Sequence, residues 1–245
     1  MKFTILTLFP EMMATYFNES ILKRAQAKGL VEIEIVYLRN YAIDTYGHVD
    51  GSPYSQTTGM VLRVDVAKRA IDAVRSATSK VAILTPVAPL YDQTMACELS
   101  IHCDHLILLC GHYEGYDARI YDYCDYRFSI GDYILTGGEL GAMVIVDSIT
   151  RLIPGVINAE SLDQESFSSD VLEYDQFTRP LSFDGKTVPY VLTNGNHGKI
   201  SKWKRYNSLI NTKLYRPDMW NGSLQKELDD LTIKQHEFME SKEDL

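Results

Sequence analysis

Residues 106–140 read LILLCGHYEGYDARIYDYCDYRFSIGDYILTGGEL. The stretch opens on Leu106, Ile107, Leu108, Leu109 and Cys110, which are apolar at every position and too few for a helix. Such a run fits a strand buried on both faces. Gly111 breaks it, and Tyr113, Glu114 and Gly115 follow in a tight polar loop. A tyrosine-rich crossover leads to a second apolar segment, Ile130, Gly131, Asp132, Tyr133, Ile134 and Leu135, and then to Thr136, Gly137, Gly138 and Glu139. Glycine loops directly after apolar segments let a ligand approach backbone N–H and C=O groups closely.

Working outward, residues 3–10 read as a strand. Pro10 opens a helix over 10–28, with Met13, Phe17, Ile21 and Ala25 four residues apart and Gly29 as its stop. Residues 31–38 alternate and predict a half-buried or edge strand. The polar segment 39–60 holds Asp44, His48, Asp50, Pro53, Tyr54 and Gly59. A loop of that length without periodicity inside a compact domain marks a functional loop. An amphipathic helix is expected over 66–79, a buried strand over 80–86, a crossover helix over 90–100 and a helix over 139–152. This alternation predicts a mainly parallel α/β sheet. Three loops, after Leu84, Cys110 and Leu135, then cluster at strand C-termini, where ligands bind in open α/β sheets.

From 158 to 175 the composition turns to Ser, Asp, Glu and Gln, which reads as a flexible linker. Beyond it, 200–215 and 224–240 read as helices. Lys199, Lys202, Lys204 and Arg205 are interleaved there with Trp203 and Tyr206, and Lys213 and Arg216 extend the patch. A charged helix face is ordinarily just solvated; aromatic interleaving after a hinge points to nucleic acid. The domains expected are 1–157, the linker 158–175, and 176–245.

The net charge of −9 excludes a protein coated in basic surface but not a local basic patch. Hydrophobic residues at 45% and charged residues at 23% describe a globular chain, not a disordered one. Apolar windows are strand-sized, so no membrane span is expected. The N-terminus alternates with threonine and fits a first strand better than a secretion signal, so a cytoplasmic location is expected. Cys97, Cys103, Cys110 and Cys124 show no CxxC spacing and read as reduced thiols. His102, Cys103, Asp104 and His105 crowd one connection without a second ligand pair, so no metal site is expected. The glycine loops match neither GxGxxG after the first strand nor GxxxxGK[ST], and no GxSxG elbow is present.

The ordered set of local motifs resembles the bacterial tRNA (guanine-N1)-methyltransferases, the TrmD family of the SPOUT superfamily. The matching pieces include Leu8-Phe9-Pro10-Glu11, Val49-Asp50, Pro53-Tyr54, Gly59-Met60, Cys110-Gly111-His112-Tyr113-Glu114-Gly115, Ser129-Ile130-Gly131-Asp132-Tyr133 and Gly137-Gly138-Glu139. Arg151-Leu152-Ile153-Pro154-Gly155, Glu165-Ser166-Phe167, Gly195-Asn196-His197 and Arg216-Pro217-Asp218 complete the series. The resemblance implies a trefoil-knotted α/β domain binding S-adenosylmethionine, a homodimer with interfacial active sites, and a C-terminal helical domain gripping tRNA. It implies methylation of N1 of the guanine 3′ of the anticodon, with Mg²⁺ needed for activity.

Carried over, the cofactor loops are Leu84-Thr85-Pro86, Gly111-His112-Tyr113-Glu114-Gly115, and Ile130, Gly131, Asp132, Tyr133, Ile134, Leu135 with Gly137-Gly138. Asp50, Tyr54 and Gly59, with Lys202, Lys204 and Arg205, are the expected RNA contacts. Guanine N1 holds a proton at neutral pH, so a base must remove it while a cation meets the charge developing on O6. Glu165 is the expected base and Arg151 the expected cation.

The chain departs from the family pattern in four places. Ser55-Gln56-Thr57-Thr58 replaces a glycine-rich run, Thr45 and Tyr46 stand where basic and histidine residues are expected, and Ala88 replaces a glycine. Glu165 stands where the family has aspartate, which moves the carboxylate by roughly 1.5 Å unless its loop adjusts, and a misplacement near 1 Å can cost about 10²-fold in rate. These changes fall mostly on the RNA side. They leave open a divergent SPOUT methyltransferase acting on another RNA or another nucleotide, or a catalytically inactive RNA-binding homologue.

Overall fold

Strands form where the apolar runs lie, and helices cover both faces of the sheet they make. In the computed structural model, which describes residues 1–55, 58–162 and 165–240, the chain divides into two compact units, Met1–Ala159 and Glu160–Leu245. The first contains β1 (Lys2–Thr7), α1 (Pro10–Phe17), α2 (Ser20–Ala27), β2 (Glu32–Tyr37), β3 (Asp50–Gly51), β4 (Val61–Leu62), α3 (Val64–Val74) and β5 (Ser79–Leu84). It continues with α4 (Gln93–His102), β6 (His105–Leu109), β7 (Tyr126–Phe128) and α5 (Glu139–Thr150). The short α6 (Ala159–Leu162) straddles the division.

The main sheet runs β2-β1-β6-β5-β7, with every pairing parallel. In β6 every residue is buried. Leu106 and Leu108 face a core with Phe3, Ile5, Phe17, Ile145 and Ile149. Ile107 and Leu109 face the other, with Leu6, Ile83, Val66 and Ile71. Period-two alternation thus feeds two cores from one continuous apolar run. β2 is the half-exposed edge, as its alternation predicts.

The expected single helix over 10–28 is two helices. Glu19 is extended and Ser20 takes a left-handed φ of 48°, so the helix restarts there. Polar residues of this kind favour caps over helix interiors. The restart shifts the buried face: Leu22 is buried, whereas Ile21, expected on the core stripe, is exposed. The apolar segment 130–135 is not a strand. Pairing with β5 comes instead from the shorter β7, so the third loop follows Phe128 rather than Leu135. Asp92 caps α4 by accepting from the Met95 N–H at 2.9 Å, which explains its start at Gln93 rather than at 90.

The second unit holds the β8 (Ser182–Phe183) and β9 (Lys186–Thr187) hairpin, α7 (His197–Tyr215) and α8 (Gly222–Glu240). Val171, Leu209, Leu224 and Leu228 make its core. Part of the stretch read as a linker is therefore anchored: besides Val171, the Leu172 N–H donates to Thr212 Oγ1 at 2.8 Å. Arg205 donates two bonds, each 2.8 Å, to Glu227, tying α7 to α8. Among the described residues no helix is long and apolar enough to cross a membrane.

The Arg205 guanidinium holds the Glu227 carboxyl below its ordinary range. A depressed folded-state pKa contributes stability that is present above the unfolded value and lost as pH falls through the folded one. Trp203 and Trp220, the chain's two tryptophans, both lie in this unit. Their fluorescence during urea unfolding should show a midpoint that falls on acidification through the carboxylate range. The fall should be smaller in Glu227→Gln.

Candidate functional site

Three loops leave the C-terminal ends of β5, β6 and β7 side by side and enclose a cavity of about 390 Å³, within the usual size range for small-molecule sites. The loop after β5 contributes Leu84, Thr85, Pro86 and Val87. It is laced to the strand and loop of β7 by Thr85 N–H to Phe128 O at 3.0 Å, Ser129 N–H to Pro89 O at 3.0 Å and Tyr91 N–H to Ser129 O at 2.8 Å. Ala88 and Pro89 therefore sit in a paired segment.

The loop after β6 contributes Gly111, His112, Tyr113, Glu114, Gly115 and Tyr116. The Tyr116 hydroxyl donates to Leu109 O at 2.8 Å and lies 3.1 Å from Leu84 O. It bridges the ends of two neighbouring strands beneath the cavity. Burial drives its pKa well above the ordinary phenol value, so it stays a donor. Its ring explains Gly111, where a Cβ would lie 2.6 Å from the Tyr116 ring carbon Cζ.

The loop after β7 contributes Ser129, Ile130, Gly131, Tyr133, Ile134, Leu135, Thr136, Gly137 and Gly138. Tyr133 folds back so that its hydroxyl donates to Ile130 O at 3.0 Å. Ile134 is 80% exposed, so the apolar character of this segment serves a cavity wall rather than a core. At the end of the loop the Gly138 N–H donates to Gly111 O at 2.8 Å. A Cβ on Gly138 would lie 2.8 Å from both Cys110 Cα and Gly111 N. Two main chains touch here, which only glycine permits. Glu139 then opens α5, its buried carboxylate accepting from Thr7 Oγ1 at 2.8 Å, where the helix N-terminus favours negative charge.

The structure thus gathers all the expected cofactor-loop residues around one cavity except Asp132, which is exposed and outside the lining. It adds Val87, Tyr116, Tyr121, Phe128, Ser129, Thr136 and Gly141. His112 Nδ1 is buried with no hydrogen-bond partner among the described residues, and it lies against Gly137. Such an orphaned atom suits a site completed by a ligand.

The expected RNA contacts are scattered. Asp50 lies in β3 and is half-buried, and Tyr54 is fully exposed. Gly59 has a φ of 102°, and the Glu114 side chain occupies the place of its missing Cβ. Ser55 is described, but Gln56 and Thr57 lie outside the described residues. The altered segment at 45–46 folds around Asp44, which accepts from the Tyr46 and His48 N–H groups and bonds His48 Nδ1 at 3.1 Å. The His48 N–H leads the causes holding Asp44 below its usual range.

Arg151 caps the C-terminal end of α5, twelve residues beyond Glu139. At 1.5 Å per residue that is about 18 Å from the cavity end of the helix. Glu165, in the second unit, begins a turn in which its carbonyl accepts from the Ser168 N–H at 3.2 Å and the Ser168 hydroxyl at 2.6 Å. Asp163, the next candidate for the base should Glu165 not serve, lies outside the described residues. On α7, Lys202 is exposed and the Lys204 ammonium sits 4.4 Å from the Tyr174 ring centre. Arg205, expected as an RNA contact, is paired with Glu227, with Asp170 at 3.5 Å. Among the described residues no group of three or more His, Cys, Asp and Glu comes together as a metal site.

Comparison with known proteins identifies the kind of molecule this is. The family described as tRNA (Guanine-1)-methyltransferase TrmD matches residues 1–222. The tRNA (guanine-N(1)-)-methyltransferase of Malacoplasma penetrans is 47% identical over 220 residues, covering 90% of this chain and 97% of the relative. The protein of the same name from Caldicellulosiruptor saccharolyticus is 46% identical over 237 residues, covering 96% of each chain.

Gly138→Ala should remove high-affinity ligand binding, measured by calorimetry with S-adenosylhomocysteine, because the backbones of Cys110 and Gly111 have nowhere to retreat. Tyr116→Phe removes the one hydroxyl that bridges the Leu109 and Leu84 carbonyls. It should lower stability by about 1–3 kcal/mol in urea denaturation.

Proposed function

The chain belongs to the tRNA (guanine-1)-methyltransferase TrmD family, and from that footing we propose that it methylates N1 of the guanine 3′ of the anticodon in tRNA, using S-adenosylmethionine, in the cytoplasm. The observation that carries the reading is the cavity at the sheet's C-terminal edge, shaped by the contact of Gly138 with Gly111. Its residues suit the cofactor. Leu84, Val87, Ile130 and Leu135 offer apolar walls to a flat base, and the glycine backbones and His112 Nδ1 offer polar partners. When bound, the cofactor supplies an electrophilic methyl group on sulfur.

The chain's own residues supply the rest. Glu165 takes the N1 proton of guanine, turning a non-nucleophilic nitrogen into a nucleophile. Arg151 sets its cation against the negative charge that gathers on O6 as the proton leaves. Among the described residues no group of three or more His, Cys, Asp and Glu forms a dedicated Mg²⁺ site, and no residue is assigned to that ion.

The place of Arg151 favours a homodimer. A cation some 18 Å down α5 from its own cavity is better placed to serve another subunit's. The surface offers a means of pairing: Phe9 and Met12 at the start of α1, and Leu140 and Val144 on α5, are all more than two-fifths exposed. The two helices are pinned by the Tyr16 hydroxyl donating to Asp147 at 2.6 Å, a bond that pushes Tyr16 up to about 12. An exposed apolar face of this kind marks an association surface. In this reading residues 1–157 form the catalytic domain, with the parallel sheet order supporting the trefoil knot that membership implies. Residues 158–175 connect it to 176–245, which grip tRNA through Lys202, Lys204 and neighbouring aromatics.

Nucleoside mass spectrometry of a tRNA pool treated with the protein and S-adenosylmethionine should show new N1-methylguanine beside the anticodon. A product with none there rejects the reading. Glu165→Gln and Arg151→Ala should each cut transfer by about 10²-fold or more while S-adenosylhomocysteine affinity stays at the wild-type value. Val144→Glu should yield a monomer by light scattering and lose activity with it.

A further inference from the structure

The segment that follows Glu165 is clasped along α7. The Leu172 N–H donates to Thr212 Oγ1 at 2.8 Å, and Asn211 Nδ2 donates to the Glu173 carbonyl at 3.1 Å and to the Asp175 carboxylate at 3.0 Å. Asn207 Nδ2 reaches Asp175 as well, at 3.2 Å. Higher numbers in the segment meet lower numbers in the helix, so the two run antiparallel. The start of the segment therefore falls beside the end of α7. There the Arg216 guanidinium carbon stands over the Phe167 ring, 5.3 Å from its centre, within the range of a cation–π contact.

Phe167 lies two residues from Glu165, and its backbone is left-handed, at a φ of 69°. That conformation costs a non-glycine residue energy and persists where the surroundings impose it. Hydrogen bonds brace the residues on either side. The Glu165 carbonyl accepts from the Ser168 N–H and hydroxyl, and Ser166 Oγ accepts from the Glu173 N–H at 2.9 Å, closing the segment into a loop. The Phe167 ring itself is 46% exposed, so burial in a core does not fix it. Arg216 is anchored where the ring is not. Its Nε and Nη2 donate to Asp218 at 2.9 and 2.7 Å, and its backbone N–H donates to Thr212 O at 2.9 Å.

We infer that Arg216 is a positioning residue, which through the Phe167 ring sets the turn from which Glu165 reaches guanine. The inference rests on the methyltransferase reading above, in which Glu165 takes the N1 proton. Asp218 fixes the guanidinium, the guanidinium fixes the ring, and the ring fixes the left-handed residue next to the base. A misplacement of the base near 1 Å can cost about 10²-fold in rate. On this account Arg216, which by composition extends the basic patch on α7, serves proton removal rather than grip on the polyanion.

The test is single-turnover methylation of tRNA by the full-length protein, followed across the neutral and alkaline range. With a base in place the rate levels off once Glu165 is ionised. With the base misplaced, guanine must lose its proton to solvent, and the rate keeps climbing by about tenfold per pH unit. Arg216→Ala should therefore lose about 10-fold or more near neutrality, with a deficit that narrows as pH rises. Its calorimetric affinities for S-adenosylhomocysteine and for tRNA should match the wild type. Arg216→Lys should recover part of the neutral rate, since an ammonium keeps the charge but not the planar fork. It is also the milder variant should Arg216→Ala fold poorly. In a Phe167→Leu background, Arg216→Ala should cost little more, because the contact is already gone. A deficit equal at every pH, one that disappears at saturating tRNA, or losses at the two positions that simply multiply each overturn the inference. A wild-type protein that transfers no methyl group to tRNA is a different result, and sinks the methyltransferase reading and the inference with it.

Discussion

A single hydrogen bond between two main chains, from Gly138 N–H to Gly111 O, decides the shape of the working edge of this sheet. It fixes where the loop after β7 returns, and that return sets where α5 begins. The start of α5 in turn places Glu139 against Thr7 and orients a helix whose far end carries Arg151. The contact tolerates no side chain on either partner, because one glycine faces backbone and the other faces the Tyr116 ring. A cavity built this way has a rigid floor and an adaptable apolar rim at Ile134 and Leu135. That division suits a ligand that must be held in one orientation yet be released after each cycle.

The second unit is organised on different terms. Its core is small, with Val171, Leu209, Leu224 and Leu228 at its centre. Directed polar contacts do much of the alignment: Arg205 with Glu227, Thr212 with Leu172, and Asn211 with the Glu173 carbonyl. A helix pair aligned by charge keeps its cations partly occupied. On α7, Arg205 is paired internally with Glu227, whereas Lys202 is exposed.

What the sequence disclosed follows from which forces act locally. The runs at 81–84 and 106–110 could be recognised as buried strands because their apolarity is continuous and short, and 3–8 as a strand by its apolar residues set among threonines. The glycine loops stood out because glycine has few other reasons to recur after strands. Burial periodicity in the first helix misled at Ile21, since one left-handed residue at Ser20 rotates everything after it, and no periodicity count contains that rotation. At 130–135 apolar composition does not say whether a segment faces a core or a cavity, so a strand and a loop look alike there. Tyr116 was hidden among Tyr113, Tyr121, Tyr123 and Tyr126; its role comes from two carbonyls distant in sequence, at Leu84 and Leu109. The pairing of Arg205 is hidden for the same reason, its partner lying 22 residues away on another helix.

The edges of the parallel sheet carry a consequence of their own. At one border β2 turns Glu32 and Glu34 outward, with Lys2 bridging both at 2.9 Å. At the other, β7 stops after three residues. An open border of unpaired amides invites a strand from another molecule to add on, and fixed charge or brevity discourages it. The sheet is thus guarded against growth at both borders, which keeps copies of this protein in a crowded solution from stacking edge to edge into fibres.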